Sequence, residues 1–172
     1  MQHILLNNKK YKHINFNINS RSDLSFILKK INEMEIPGLK IEKDLFIHSI
    51  IELINNSICA HIEKNIAEPV KIRFSIENED LHITIVDKGK GFNTKVLPFD
   101  LNAPVTAIDI NGKNFQIYRE KSNYKRFGTG IFTAKKTFDD FELYFFNHAG
   151  ESVTNDSEEK EGTIVKLTLK NR

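Results

Sequence analysis

The first clear pattern in the chain is an alternation of polar and apolar residues over positions 13–19, which predicts a half-buried strand. A repeat at helical spacing follows Ser22-Asp23, two residues suited to capping a helix, and it stops at Pro37-Gly38. The apolar members of this repeat are Leu24, Ile27, Leu28 and Ile31. A strand followed by a helix is therefore predicted before residue 38.

A longer helix is predicted over residues 41–65, where polar side chains flank an apolar stripe. The stripe consists of Ile47, Ile51, Ile54, Ile58 and Ile62, and the polar residues beside it are His48, Glu52, Asn56 and Glu63. Residues 70–77 and 81–87 then predict an antiparallel hairpin around the polar turn 78–80. This hairpin places Asp87 at the end of a strand.

Residues 93–127 have no sustained periodicity, because Pro98, Pro104 and Asn111-Gly112 interrupt it. A connection of this length inside a compact domain usually has a function, so we interpret residues 93–127 as a lid over a binding site. A short helix over 128–137, a strand at 141–147, a charged loop and a last strand at 163–169 follow. We predict a single domain over residues 1–172.

The composition changes this picture little. With 40% hydrophobic residues, 28% charged residues and a net charge of +2, the chain is typical of a soluble globular protein and gives no reason to expect nucleic acid or a membrane as a partner. Its one cysteine, Cys59, cannot form an internal disulfide, which favours a reducing compartment and a cytoplasmic location. No apolar run approaches the roughly 20 residues of a membrane span. The six histidines lack the spacing of metal ligands.

Glu52 and Asn56 lie four residues apart in the long helix and therefore project from one face. The carboxylate can accept a proton and the carboxamide oxygen can bind Mg²⁺, a pairing that suits metal-dependent phosphoryl transfer. Many solvated helix faces have the same spacing. The two glycine-rich turns that follow the pair favour a functional interpretation of it.

The first of these turns, Asp87-Lys88-Gly89-Lys90-Gly91-Phe92, follows a strand. Asp87 can accept a hydrogen bond from the amino group of adenine, and the two glycines let the backbone approach the base. The second, Gly128-Thr129-Gly130, precedes an apolar helix whose N-terminal N–H groups favour phosphate. A plain turn and a glycine helix cap are the alternative interpretations.

In this order, the helix motif and the two glycine turns resemble the N, G1 and G2 boxes of the GHKL ATPases, the superfamily of gyrase B, Hsp90, histidine kinases and MutL. The resemblance covers residues 52–169, and the strand and helix before it are similar to those of the anti-sigma-factor serine kinases. It implies an α+β fold of the Bergerat type. This fold is a two-layer α/β sandwich with a mixed, mostly antiparallel sheet, helices on one face and an ATP lid between the glycine motifs.

The resemblance also implies ATP and Mg²⁺ as cofactors and gives each motif residue a role. Glu52 would be the general base, Asn56 the Mg²⁺ ligand, Asp87 the adenine contact, Gly89 and Gly91 the base-side loop, and Gly128, Thr129 and Gly130 the phosphate loop. Thr163 would support the adenine contact through the aspartate.

Two further positions bear on the partner. Arg126 would reach the phosphates or the protein substrate, and a solvated lid charge explains it equally well. Related kinases often have a histidine at the position of Ala60, whereas here the histidine is the next residue, His61. The lid is also longer than the resemblance leads us to expect.

The implied function is that of a protein serine/threonine kinase acting on a small STAS-type anti-anti-sigma protein. The alternative is a nucleotide-dependent module that sequesters a sigma factor or another regulator without catalysis. Glu52 favours catalysis, because a switch that only binds ATP needs no base. A sensor histidine kinase is disfavoured, since the stretch before Glu52 leaves no room for a phosphoacceptor hairpin. Simple ATP hydrolysis, as in the gyrase-like relatives, is also disfavoured, because we find no transducer domain that would use the energy. Similar kinases form dimers through the sheet-side surface, so a homodimer remains open.

Overall fold

The computed structural model describes residues 1–19, 21–122 and 128–171. In chain order its strands are β1 (Ile4–Leu6), β2 (Lys9–Tyr11), β3 (His13–Ile18), β4 (Val70–Glu77), β5 (Asp80–Asp87), β6 (Asp140–Phe146), β7 (Ser152–Val153) and β8 (Gly162–Leu169). The helices are α1 (Arg21–Glu33), α2 (Lys43–Lys64), α3 (Lys113–Lys121) and α4 (Thr129–Thr137). Two single-turn 3-10 helices occupy Thr94–Val96 and Val105–Ala107.

Six of these strands form one sheet in the order β3-β4-β5-β8-β6-β7, and each neighbouring pair is antiparallel. Helices α1, α2 and α4 pack against this sheet, and the apolar core lies between the two layers. β1 and β2 form a separate hairpin. The predicted α+β fold, a mostly antiparallel sheet covered by helices, is confirmed.

Helix α2 supplies the largest helical contribution to the core, but its buried face differs from the predicted stripe. The buried residues are Phe46, Ile47, Ser49, Ile50, Leu53, Ile54, Ser57, Ile58 and His61. Ile62 is wrong as a stripe member, since it is 56% exposed. Most steps of this stripe are four residues long, so it drifts around a helix that has 3.6 residues per turn and leaves the core by its last member. Glu52 is half-buried and Asn56 exposed, beside this face.

The same helix is long and apolar enough, by length and composition alone, to cross a membrane. The expectation that no stretch approaches a membrane span is therefore wrong on this criterion. Half of the apolar window is buried inside the fold, where α2 packs against α1, α4, β4 and β5. The core of the sandwich thus accounts for the apolar character of α2.

Several short elements were not predicted. The β1–β2 hairpin turns at Asn7 and Asn8, which both have positive φ. Strand β7 is only two residues long and lies in the loop predicted as irregular. Helix α3, Lys113–Lys121, lies in the predicted lid, where the sequence has no sustained periodicity. Elements of this size contain too few repeats to give a periodic signal.

The lid has a small apolar centre of its own. Phe115 of α3 is 1% exposed and stacks on Phe99, with ring centroids 5.7 Å apart and an interplanar angle of 12°. The Arg119 guanidinium lies 5.7 Å from the centroid of the Phe115 ring. These contacts order the described part of the lid, residues 93–122.

Candidate functional site

A cavity of about 280 Å³ opens between α2, the lid and the strands β5, β6 and β8. Five of the predicted site residues line it: Asn56, Asp87, Gly89, Gly91 and Thr163. Its apolar wall includes Leu53, Phe92, Leu97, Ile131, Leu143 and Val165. A mostly apolar pocket with a few polar groups at fixed places is typical of a small-molecule site.

Asp87 is the buried carboxylate of this cavity, with 6% of its surface exposed. The Ser57 hydroxyl donates to Asp87 Oδ2 at 2.9 Å, and the Gly89 N–H donates to Asp87 Oδ1 at 2.9 Å. Burial raises the pKa of the Asp87 carboxyl above its ordinary value, and the hydrogen bonds from Gly89 and Ser57 oppose this rise only in part. The two donors fix the carboxylate and leave it lone pairs for a donor in the cavity.

The turn after Asp87 is held from α2 by Ala60 and His61. His61 Nε2 accepts a hydrogen bond from the Lys88 N–H at 2.8 Å, and His61 Nδ1 lies 3.0 Å from the carbonyl oxygen of Glu68. Both bonds form together only if the ring is neutral with its proton on Nδ1. Ala60 lies so close that a Cβ at Gly89 would be 2.5 Å from the Ala60 Cβ. Ala60 and His61 therefore position the glycine turn.

On the opposite strand, Thr163 pairs with Asp87 in the ladder between β5 and β8 and is 5% exposed. The residue before it, Gly162, has no space for a side chain, because a Cβ there would lie 1.9 Å from the carbonyl oxygen of Asp87. Sequence reasoning did not place Ser57, His61 or Gly162 in the site. Their only sequence signal was adjacency to Asn56, Ala60 and Thr163.

The second glycine turn lies beside the cavity, at the N-terminus of α4. Gly128 has a φ of 75°, and a Cβ there would lie 2.9 Å from Pro98 and 3.1 Å from Tyr118 of the lid. Thr129 is the first residue of α4 and is half-buried. A Cβ at Gly130 would lie 3.1 Å from the Glu52 Cβ and 3.5 Å from the Asn56 Nδ2. The structure thus brings Gly130 against Glu52 and Asn56, while Arg126 lies outside the described residues.

A lysine of α4 ties the lid to this site. The Lys135 ammonium donates hydrogen bonds to the carbonyl oxygens of Leu101 and Ala103, the second at 3.1 Å. Because Lys135 and the Gly128–Gly130 turn belong to the same short helix, the lid and the second glycine turn are mechanically linked.

Lys135→Met is expected to loosen the lid, because two backbone carbonyls lose a charged donor while most of the apolar part of the side chain is kept. Hydrogen exchange of residues 93–122 should accelerate by roughly tenfold, as for the loss of about 1.4 kcal/mol of local stability. Lys136→Met is the matched control, since Lys136 is the exposed neighbour in α4. Equal exchange in the two variants would show that Lys135 does not hold the lid.

Asp87→Asn is expected to lower nucleotide affinity by roughly 10- to 100-fold, because the amide presents a donor where adenine requires an acceptor. It should not lower stability. The raised pKa means that the charged carboxylate costs folding free energy above that pKa, and the cost disappears as the pH falls through it. Asparagine removes this cost at neutral pH, and the Ser57 hydroxyl can accept from the new amide.

Calorimetry with ATP and urea denaturation measure these two effects separately. Asp80→Asn is the control, since Asp80 lies at the opposite end of β5. Unchanged ATP affinity in Asp87→Asn would remove the adenine assignment, and a large loss of stability would show that the site had been damaged instead.

Among the described residues, no group of three or more His, Cys, Asp or Glu side chains could hold a metal ion by itself. The oxygen of one carboxamide, Asn56, fits the needs of Mg²⁺, which takes few protein ligands when phosphate oxygens supply others.

A family model described as histidine kinase-, DNA gyrase B-, and HSP90-like ATPase matches residues 42–172. The match begins one residue before α2 and includes every residue predicted for the site, whereas β1, β2, β3 and α1 precede it. No curated protein matches the chain.

Proposed function

Because the chain belongs to the family of histidine kinase-, DNA gyrase B- and HSP90-like ATPases, we propose that its ATP site serves a protein serine/threonine kinase of the anti-sigma-factor type. The observation that carries the proposal is the position of Glu52. Its Oε2 lies 3.5 Å from where a Cβ of Gly130 would be, at the N-terminus of α4. A carboxylate beside a phosphate-binding helix end can accept the proton of an attacking hydroxyl.

The cavity fits the base of ATP. Asp87 offers a fixed acceptor to the adenine amino group, and Thr163 holds the neighbouring strand in register with it. Apolar side chains such as Leu53, Ile131 and Val165 surround the space in which a flat base would lie. Gly89 and Gly91 border the same space, where larger residues would collide with Ala60 and Phe145.

The phosphate end of the site fits the turn at Gly128, Thr129 and Gly130, whose N–H groups point out of the first turn of α4. Asn56 would hold Mg²⁺ through its side-chain oxygen. Bound there, Mg²⁺ would neutralise charge on the triphosphate. Glu52 remains free of described hydrogen-bond partners, so it can act on a substrate hydroxyl.

Asn56→Ala is expected to weaken binding of MgATP by at least about tenfold and binding of metal-free ATP by much less, because Mg²⁺ depends strongly on each of its few protein ligands. Asn55→Ala is a closely matched control, since Asn55 is the adjacent residue of α2 and does not line the cavity. Calorimetric titrations with and without Mg²⁺ measure the difference. If Asn56→Ala weakens both titrations equally, Asn56 is not the metal ligand.

For the protein substrate, we propose a small STAS-type regulatory protein, encountered in the cytoplasm. The proposal is supported by the strand and helix that precede the family match, which resemble the start of anti-sigma-factor kinases. The second candidate is a module that sequesters a sigma factor or a similar regulator and uses ATP as a conformational ligand. The link between Lys135, the lid and the second glycine turn favours some response of the lid to nucleotide in either case.

Transfer of radiolabel from γ-labelled ATP to a captured protein partner tests the kinase proposal. We expect acid-stable label on serine or threonine of the partner, and none when Mg²⁺ is chelated. A partner that binds in the presence of ATP and never acquires label would contradict the kinase and support the binding module.

A further inference from the structure

The outer edge of β6 is only partly paired. Strand β7 covers β6 at Phe145 and Phe146, and the rest of β6, residues 140–144, has β8 on one side only. The Asn147 N–H donates a hydrogen bond to the Glu151 carbonyl oxygen on the β7 side. Since backbone groups of alternate residues in a strand point the same way, the N–H and C=O groups of Phe141 and Leu143 face outward along this edge.

These outward groups have no hydrogen-bond partner among the residues that the structure describes. They border a groove of about 880 Å³ between the β6 edge and the lid. On its lid side the groove is lined by Leu97, Phe99 and Leu101, so a strand entering it would meet apolar side chains as well as backbone partners. The groove runs on from β7, because Val153 lines its end.

We propose that this groove binds an extended segment of a partner protein, which adds to the sheet as a strand beside β6. The free edge of five residues spans about 17 Å, enough for one short strand. Residues of the lid form the other wall of this groove, so the space suits a single extended segment better than the sheet edge of a second folded copy of this chain.

The charges of the groove define the segment further. Its charged lining residues are Lys95, Asp100 and Glu142. Lys95 already pairs with Asp156 at 2.9 Å, and Glu142 lies opposite Lys166 in the ladder with β8. One positive and two negative side chains give the lining a formal charge of −1. An incoming strand would therefore meet two carboxylates. A segment that alternates apolar and basic side chains fits this groove.

Binding at this edge does not require phosphoryl transfer. The groove proposal and the kinase proposal can therefore be tested, and contradicted, independently. Leu97 and Leu143 line both the groove and the 280 Å³ cavity, which gives the two sites shared walls. An occupied groove would consequently support the same lid that borders the nucleotide.

The test uses a fluorescent, acetylated seven-residue peptide of alternating valine and lysine, titrated against the full chain by anisotropy. We expect saturable binding, with amide NMR signals of residues 140–145 among those that shift. The same peptide with glutamate in place of lysine should bind at least about tenfold more weakly, because like charges then meet. A fully N-methylated peptide should not bind, since it cannot donate to the strand edge.

An exchange of charges in the groove tests whether the peptide binds there or is only attracted non-specifically by the charge of the protein. The double variant Asp100→Asn with Glu142→Lys should reverse the preference in favour of the glutamate peptide, whereas Glu77→Lys, far from the groove on β4, should not. Circular dichroism checks that each variant folds. No binding of the lysine peptide, equal binding of the N-methylated peptide, shifts confined to the other sheet edge at β3, or self-association in place of peptide binding would each overturn the proposal.

Discussion

Glu52→Gln is expected to slow phosphoryl transfer by about 10²- to 10⁴-fold, the usual worth of a general base, while MgATP affinity stays within about twofold. Glutamine keeps the shape of the side chain next to Gly130 but cannot take the proton of the attacking hydroxyl. Because adenine and Mg²⁺ are assigned to Asp87 and Asn56, binding should survive. Single-turnover transfer with labelled ATP and calorimetry measure the two quantities on the same preparation.

Asp44→Asn provides a control for this change, because Asp44 is an exposed carboxylate in the first turn of the same helix, α2. It should transfer phosphate at the wild-type rate. Glu52→Gln that transfers at the wild-type rate would remove Glu52 from catalysis. If neither wild type nor variant transfers phosphate, and both capture the partner equally in the presence of ATP, the nucleotide-dependent binding module is the correct function.

Gly162→Ala is expected to lower the free energy of unfolding by about 3 kcal/mol, the upper end of what overpacking of a tight interior costs. The new methyl would lie 1.9 Å from the Asp87 carbonyl oxygen and 2.6 Å from the Phe146 ring. The first obstacle is backbone, which cannot rotate away as a flexible side chain could. Strands β5 and β8 must therefore separate where Asp87 pairs with Thr163, and ATP binding should be lost with them.

Gly150→Ala separates this collision from ordinary backbone strain. Gly150 has a φ of 82°, and a Cβ there would have nothing within 4 Å. Its substitution should cost only the left-handed conformation, roughly 1 to 2 kcal/mol, and leave ATP binding intact. Urea denaturation and ATP titration compare the two variants. Equal losses of stability, with ATP binding retained in both, would show that Gly162 is not required by the site.

The sequence predicts the main layers well because burial in them follows a regular period. Strand β3 and the hairpin of β4 and β5 lie within a residue of their predicted bounds, since their inward residues alternate against α1 and α2. Helix α2 was placed within two residues at each end. Its C-terminus has a left-handed cap at Asn65, the residue at which the predicted helix ends.

The parts that could not be predicted depend on contacts between distant residues. Helix α3 is held in place by the stacking of Phe115 on Phe99. Its nine mostly polar residues have no hydrophobic periodicity from which this contact could be predicted. In the same way, the hydrogen bond from Ser57 to Asp87 joins residues thirty positions apart. The motifs indicated five residues that line the cavity, whereas the groups that hold them in place appear only in the folded chain.

The most direct measurement of the central claim is a crystal structure of the chain with Mg²⁺ and a non-hydrolysable ATP analogue. We expect the adenine amino nitrogen within about 3.2 Å of an Asp87 carboxylate oxygen. The triphosphate should lie at the Gly128–Gly130 turn, with its last phosphate beside Glu52 and the metal on Asn56. A nucleotide bound outside this cavity, or bound in it with the base turned away from Asp87 and the phosphates away from α4, would contradict the account.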